Sequence, residues 1–267
     1  MSKDLEEQHG VQSLEIGISI LKAITGGHRS MMLKDIAANA DMPASKVHRY
    51  MVSLIRSGLV EQDPNSSRYD LGPFALTLGL VAVDRLDRIG LGLSAIAALR
   101  DEINETTALA VWSDKGPVII SSERPNRPIT VNVVTGTALN TLTSASGRIF
   151  AAWLPEVSTS ALVAAELKSP ASPPDVRTKK AFVNLVASIR AAGVAAVTDY
   201  HLVPGVAALA APVFNAKGEI TLSVLAIGVK GQLDMSPDGP TVTRLKRAAH
   251  ALSQRLGYKG DALPVAA

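Results

Sequence analysis

The spacing of hydrophobic positions changes several times along this chain, and each change marks a different element. Over residues 11–24, Leu14, Ile18 and Leu21 recur at helical intervals and the run stops at Gly26-Gly27, which predicts a first helix. Ser13 at its start reads as a cap, with a phosphate contact from the helix start as the alternative. Leu33, Ile36 and Ala37 form a second short apolar face, and Val47, Met51, Leu54 and Ile55 repeat it about ten residues on. Ala40-Asp41-Met42-Pro43 separates the two, with proline where a new helix begins. Residues 58–63 and 68–72 then read as two short strands around Pro64-Asn65-Ser66-Ser67, a hairpin.

From Pro73 the pattern is helical again. Phe74, Leu76, Leu78, Leu80 and Val81 put apolar groups on more than one face, and Asp84, Arg85, Asp87 and Arg88 follow. Such a helix needs a cover, so residues 74–90 are expected to link two domains and to pack against a partner subunit. Beyond it the pattern predicts a helix over 93–104, strand runs at 108–112, 118–122 and 129–134, and helices at 146–153, 159–167 and 178–192. Strands at 195–198, 207–214 and 220–228 follow, the last two joined by Asn215-Ala216-Lys217-Gly218, and a helix over 242–256 closes the pattern. Strands grouped at two ends with helices between them argue for an α+β fold, one largely antiparallel sheet flanked by helices. The expected order is a tail (1–10), a small domain of three helices and a hairpin (11–73), a linker helix (74–90), a second domain (91–258) and a tail (259–267).

Composition narrows the choices. A length of 267 residues suffices for a small and a mid-sized domain, each with its own core. The hydrophobic fraction is 47% and the mean hydropathy +0.20, yet the longest apolar runs are of strand length, far below the ~20 residues of a membrane span. The N-terminal ten residues are polar and acidic, unlike a signal peptide, and there are no cysteines, so no disulfide framework or thiolate metal site is expected. These features fit a cytoplasmic protein with no membrane contact. The isoelectric point near 9.2 is a poor guide to partners, because residues 1–90 carry 10 basic and 11 acidic side chains and the excess cations lie further on. Placement is more informative than bulk charge.

On the helix carrying Val47, Met51 and Leu54, the positions turned away from the apolar face are Ser45, Lys46, His48, Arg49, Ser53 and Arg56. These donate hydrogen bonds to phosphates and base edges, as a recognition helix does. A solvated helical pair with a cationic outer face is the plain alternative. The hairpin that follows favours the first reading, since helix, turn, helix and wing come in order, with Arg68 just past the wing tip where it can meet the DNA backbone or minor groove.

These stretches, VQSLEIGISIL, LKDIAANADMPASKVHRYMVSL, SGLVEQD and SRYDLGP, resemble the N-terminal domain of the IclR family of bacterial transcriptional regulators, and the likeness continues more loosely to about Leu256. It implies a winged helix-turn-helix, a linker and dimerisation helix, and a GAF-like effector-binding domain. Lys46 stands where the family often has threonine. The resemblance also implies double-stranded operator DNA as a partner, a small-molecule effector, a homodimer and pairing of dimers into tetramers.

No catalytic or cofactor motif stands out. The five histidines show no metal-ligand spacing, no nucleophile elbow or phosphate loop occurs, and Gly90-Leu-Gly-Leu-Ser-Ala95 lacks the strand context of a dinucleotide fingerprint. The expectation is a protein that is not an enzyme and needs no cofactor. Thr143-Ser-Ala-Ser-Gly-Arg148 is a small-residue turn opening a helix, either an anion-binding helix start or an ordinary serine cap. The family likeness makes it one wall of an effector pocket, with Ala145, Ser146 and Gly147 at the turn, Arg148 in place of the usual lysine, and Leu142 where histidine is common. It sets Asp199 at the rim and Ala208, Leu225 and Ile227 on the sheet side, at positions that are polar in members binding very small acids. Apolar replacements favour an effector with a sizeable apolar body, such as an aromatic acid or derivative. The chain therefore reads as a ligand-responsive DNA-binding regulator, a repressor of a catabolic operon. Alternatives are a DNA-binding protein whose second domain only oligomerises, and an enzyme with an accessory helix-turn-helix.

Overall fold

In the computed structural model, which describes residues 10–27, 30–128, 130–169, 174–198 and 204–260, three helices and a hairpin bury one apolar cluster. They are α1 (Gln12–Thr25), α2 (Leu33–Asn39), α3 (Ala44–Arg56), β1 (Val60–Gln62) and β2 (Tyr69–Leu71). Ile20, Ile24, Ile36, Val47, Met51, Leu54, Val60 and Tyr69 make the core. Pro43 is the N-cap of α3, and the turn before it closes through Met42 N–H donating to the Ala37 carbonyl at 3.0 Å.

Three local expectations are corrected here. The buried face of α1 is Gly17, Ile20, Ala23 and Ile24, whereas Leu14 and Ile18 are 65% and 44% exposed. Both stripes have helical spacing, so periodicity does not choose between them; the buried one is the stripe that meets Ile36, Val47 and Met51. Ser13 is not the cap, because Val11 occupies that position and no side chain caps the helix. Ile55 is exposed, standing one residue round the helix from buried Leu54.

The hairpin gains a third strand position that the pattern did not reveal. Met31 and Tyr69 exchange both backbone hydrogen bonds, at 2.9 and 2.8 Å, so the segment before α2 pairs with the outer edge of β2. A one-residue bridge has no periodicity to detect. The hairpin returns tightly to the end of α3: Gly72 N–H donates to Leu59, and a Cβ on Gly72 would stand 2.4 Å from the Gly58 carbonyl oxygen.

α4 (Pro73–Asp84) leaves Phe74, Leu76, Leu78, Leu80 and Val81 exposed. The helix expected to run to residue 90 stops at Asp84. Asp87 then accepts the Gly90 N–H at 2.8 Å and caps α5 (Arg88–Ile103), so the charged segment is a break between two helices. Gly90 to Ala95 lies inside α5. Contacts between Cα atoms divide the chain at this break, into Met1–Leu86 and Asp87–Ala267.

The second unit contains β3 (Thr106–Ser113), β4 (Gly116–Glu123), α6 (Ala145–Trp153), α7 (Glu156–Lys168), a 3-10 turn (Pro174–Val176), α8 (Lys179–Ala192), β5 (Ala195–Thr198), β6 (Val206–Phe214), β7 (Ile220–Val229) and α9 (Pro240–Arg255). Its five strands run in the order β4-β3-β7-β6-β5, antiparallel throughout. Strand alternation sorts the apolar runs to both faces. Leu209, Ala211 and Val213 of β6 with Leu222, Val224 and Ala226 of β7 face α5 and α9, meeting Ile96, Leu99, Leu245 and Leu252. Ala210, Phe214, Leu225 and Ile227 face the other way, toward Ile149, Phe150 and Trp153 of α6. Covering on both sides explains why β6 and β7 read as continuous apolar runs, and the whole is the α+β fold expected.

The strand expected over residues 129–134 is absent as a ladder strand, residue 129 lying outside the described residues. Side chains take the place of the ladder: the Thr106 hydroxyl donates to the Val131 carbonyl at 2.8 Å and the Ser122 hydroxyl to Val133 at 2.9 Å. Backbone pairing with β4 occurs only beyond, as an isolated bridge between Val118 and Ala138 in which Ile119 N–H donates to Thr137, and Gly136 N–H donates to Ile119.

Candidate functional site

In the first unit, the face of α3 opposite the core carries Ser45, His48, Arg49, Ser53 and Arg56, all exposed, with Lys46 half-buried beside them. Among the described residues no hydrogen bond or ion pair engages the side chains of Ser45, Lys46, His48 or Arg49. The structure thus brings these four together on one solvent-facing helix. Arg68 is also exposed but is committed on one side, its Nη1 donating to the Ser30 carbonyl at 2.8 Å. The wing tip is ordered from within. Asp63 accepts the Ser66 hydroxyl at 2.6 Å and the Asn65 N–H at 2.9 Å, which together hold its carboxyl below the usual carboxylate range.

In the second unit, a cavity of about 310 Å³ opens between the sheet and the start of α6. Ala208, Leu225 and Ile227 form its sheet side with Val197 and Val206, and Ile119 joins them from β4. Val131, Asn132, Val133, Val134, Thr137 and Leu139, from the irregular segment after β4, form a second wall. Thr143, Ser144 and Ala145 close the end. The volume falls within the roughly 300–1,000 Å³ typical of ligand pockets. A larger groove of about 570 Å³ lies between α7 and α8. Its charged side chains have partners, Lys179 lying 3.9 Å from Glu156 and Arg190 donating to the Ala152 carbonyl.

That helix start is built by a buried turn. Ser144 is the N-cap of α6: its hydroxyl accepts the Gly147 N–H at 2.9 Å and donates to the Asn140 carbonyl at 2.6 Å. The N–H groups of Ala145 and Ser146, in the first turn, have no intrahelical acceptor. Glu166 of α7 accepts the N–H groups of Thr141 and Leu142 at 2.6 and 2.8 Å. Arg148, 3% exposed, donates from Nε to the Leu142 carbonyl at 2.7 Å and sets Nη2 3.0 Å from Asp175. Neither Arg148 nor Glu166 lines the cavity; both hold the turn that does.

The structure therefore brings Ala145, Ala208, Leu225 and Ile227 together and leaves Leu142, Ser146 and Gly147 out of the lining. Leu142 is fully buried in a different cluster, with Val163 and Val176, because Glu166 and Arg148 grip its backbone and turn its side chain under α7. Ser146 is fully buried but is not a lining residue. Gly147 serves packing: a Cβ there would stand 2.3 Å from the Asn140 carbonyl oxygen and 2.5 Å from Thr141 Cα. Asp199 lies outside the described residues. The wall from residues 131–139 was missed because its alternating Val131 and Val133 mimic a strand, and the irregular run of carbonyls held by Thr106 and Ser122 gives no signal in sequence.

A winged helix-turn-helix joined to an α+β domain is the architecture of a transcriptional regulator that binds DNA. Family models match both parts: the IclR helix-turn-helix domain over residues 13–64 and the bacterial transcriptional regulator IclR C-terminal domain over residues 82–254. The glycerol operon regulatory protein of Streptomyces griseus is 31% identical over 253 residues, 92% of this chain and 97% of that protein. The crystal structure of Pseudomonas aeruginosa HmgR superposes with a TM-score of 0.85 at 38% identity, covering 94% of this chain and all of that one. The Agobacterium tumefaciens repressor BlcR shares the fold, with a TM-score of 0.79 at 19% identity over 95% of this chain and all of that one. The chain belongs to the IclR family of transcriptional regulators. No helix among the described residues is long and apolar enough to cross a membrane.

The close approach at Gly147 has a measurable consequence. Gly147→Ala forces α6 away from the 140–141 backbone, and urea unfolding is expected to show a loss of about 1–3 kcal/mol, the usual range for overpacking.

Proposed function

We propose that this IclR-family regulator represses a catabolic operon by binding operator DNA as a homodimer and releases or tightens that grip when a small organic acid with an apolar body occupies the cavity at the start of α6. The observation that carries the DNA half is α3, whose buried Val47, Met51 and Leu54 fix the opposite face of Ser45, Lys46, His48 and Arg49 toward solvent. Ser45, Lys46 and His48 serve phosphates and base edges, and Arg49 reads a base. Arg68, braced by Ser30, contacts the backbone beside the wing. Two such helices, one per protomer, enter successive major grooves ~10 base pairs apart. The exposed apolar side chains of α4, with Val11 and Leu14 of α1, support a dimer contact that covers them. Relatives bearing the names transcriptional repressor IclR, from Escherichia coli, and repressor BlcR support repression as the mode, and the Streptomyces relative is named for an operon.

The effector half rests on the cavity's lining. Ala208, Leu225, Ile227, Val131 and Val133 offer an oxoacid of two or three carbons little to bond, while an aromatic ring gains from burial against them. The Ala145 and Ser146 N–H groups supply an anion-favouring end. Pairing of dimers into tetramers belongs to the same proposal and follows from the family alone.

Two measurements test these halves. Arg49→Ala is expected to weaken operator binding by about 1–3 kcal/mol in a gel-shift titration, and unchanged binding removes Arg49 from the base-reading set. Calorimetry against benzoate and phenylacetate on one side and glyoxylate and pyruvate on the other is expected to show heat only with the aromatic acids. Tight binding of glyoxylate or pyruvate alone contradicts the ligand class.

A further inference from the structure

We infer that Thr143 is the side chain that selects the effector, donating its hydroxyl to an acceptor oxygen on a ligand whose apolar body fills the cavity; this rests on the effector-sensing reading above. Among the described residues four polar side chains line the cavity: Asn132, Thr137, Thr143 and Ser144. Three of them are engaged. The Thr137 hydroxyl donates to the Val134 carbonyl at 2.7 Å, the Ser144 hydroxyl is doubly bonded in the helix cap, and the exposed Asn132 carbonyl oxygen accepts from Arg124 at 2.8 Å. Thr143 differs. It is 6% exposed and its Oγ1 is buried with no hydrogen-bond partner.

A buried hydroxyl without a partner is costly, so its persistence calls for a physical reason. Packing alone favours valine, which has the same shape and no polar atom to satisfy. One 120° step about χ1 of threonine exchanges hydroxyl and methyl positions, so the same residue can present either group to the cavity. An acceptor bound next to Ala145, at the first turn of α6, gives that hydroxyl the partner it lacks. The donors the described residues offer at this end are neutral, the Ala145 N–H and the Thr143 hydroxyl. Neutral donors serve a carboxylate and an amide carbonyl alike, and the shared requirement is an acceptor oxygen attached to an apolar body.

The test uses the purified full-length protein and its Thr143→Val and Thr143→Ser variants, with phenylacetate, phenylacetamide and ethylbenzene as probes in calorimetry and thermal unfolding. Thr143→Val is expected to weaken phenylacetate and phenylacetamide about tenfold, to leave ethylbenzene unchanged, and to keep or raise the unfolding midpoint without ligand, since it deletes an unpartnered hydroxyl. Thr143→Ser is expected to keep wild-type binding of the two acceptor probes. A stronger response to phenylacetate than to phenylacetamide identifies the anion as the preferred source of the acceptor. Equal binding by wild type and Thr143→Val overturns the role of Thr143 and leaves the effector reading standing. A fall in the ligand-free midpoint of Thr143→Val together with weakened binding of all three probes assigns Thr143 to the fold and overturns the inference. No binding of any probe by the wild type overturns the ligand class and the effector reading with it.

Discussion

Thr141, Leu142, Thr143 and Ser144 form a buried turn, and a buried backbone must find partners for its N–H and carbonyl groups. Here the partners come from two charged side chains that take no direct part in the cavity. The Glu166 carboxylate receives two successive N–H groups, and the Arg148 guanidinium receives the Leu142 carbonyl while pairing with Asp175. Each charge is satisfied because the turn is there, and the turn holds its shape because the charges are there. Removing Glu166 takes the acceptor from two N–H groups of the turn, and removing Arg148 takes the donor from the Leu142 carbonyl. From this clamp follow the position of Ser144 as a cap, the start of α6 and the end wall of the cavity.

The sheet supplies the rest of the cavity by alternation. β6 and β7 are apolar on both faces, and one face packs α5 and α9 while the other meets α6 and then, toward Ala208, Leu225 and Ile227, runs out of helix to cover it. The remaining gap is walled by the irregular segment that Thr106 and Ser122 hold beside β4. In the first unit the same economy of faces applies to α3, where a core of Val47, Met51 and Leu54 commits the polar positions to solvent. Binding surfaces in both units are therefore what remains after the core requirements of particular elements have been met.

Much of this was legible in the sequence. The helix-turn-helix and wing follow from short-range signals, periodicity and a proline at a helix start, and the α+β class follows from where the strand runs fall. Positions such as Ala208, Leu225 and Ile227 lie on regular strands, where a period of two fixes their side once a neighbour is known. What could not be read depends on contacts between distant residues. Leu142 leaves the cavity because Glu166 and Arg148 hold its backbone; the choice between the two stripes of α1 depends on where α2 and α3 pack; and residues 131–134 fail to pair because two hydroxyls from other strands take their carbonyls. Gly147 looked like a residue for ligand approach and is one for backbone approach, a distinction that only the position of residues 140–141 supplies.

The account joins a DNA-reading helix in one unit to a ligand cavity in the other, and it requires that occupancy of the cavity changes affinity for DNA, since a ligand indifferent to the two states of the regulator shifts nothing. The most direct measurement is a fluorescence anisotropy titration of a labelled operator fragment with the full-length protein, without ligand and with saturating phenylacetate. The account predicts that the dissociation constant changes by about 5- to 150-fold, the usual scale of coupling between sites. Identical dissociation constants in the two titrations, with calorimetry showing the cavity occupied, would contradict it.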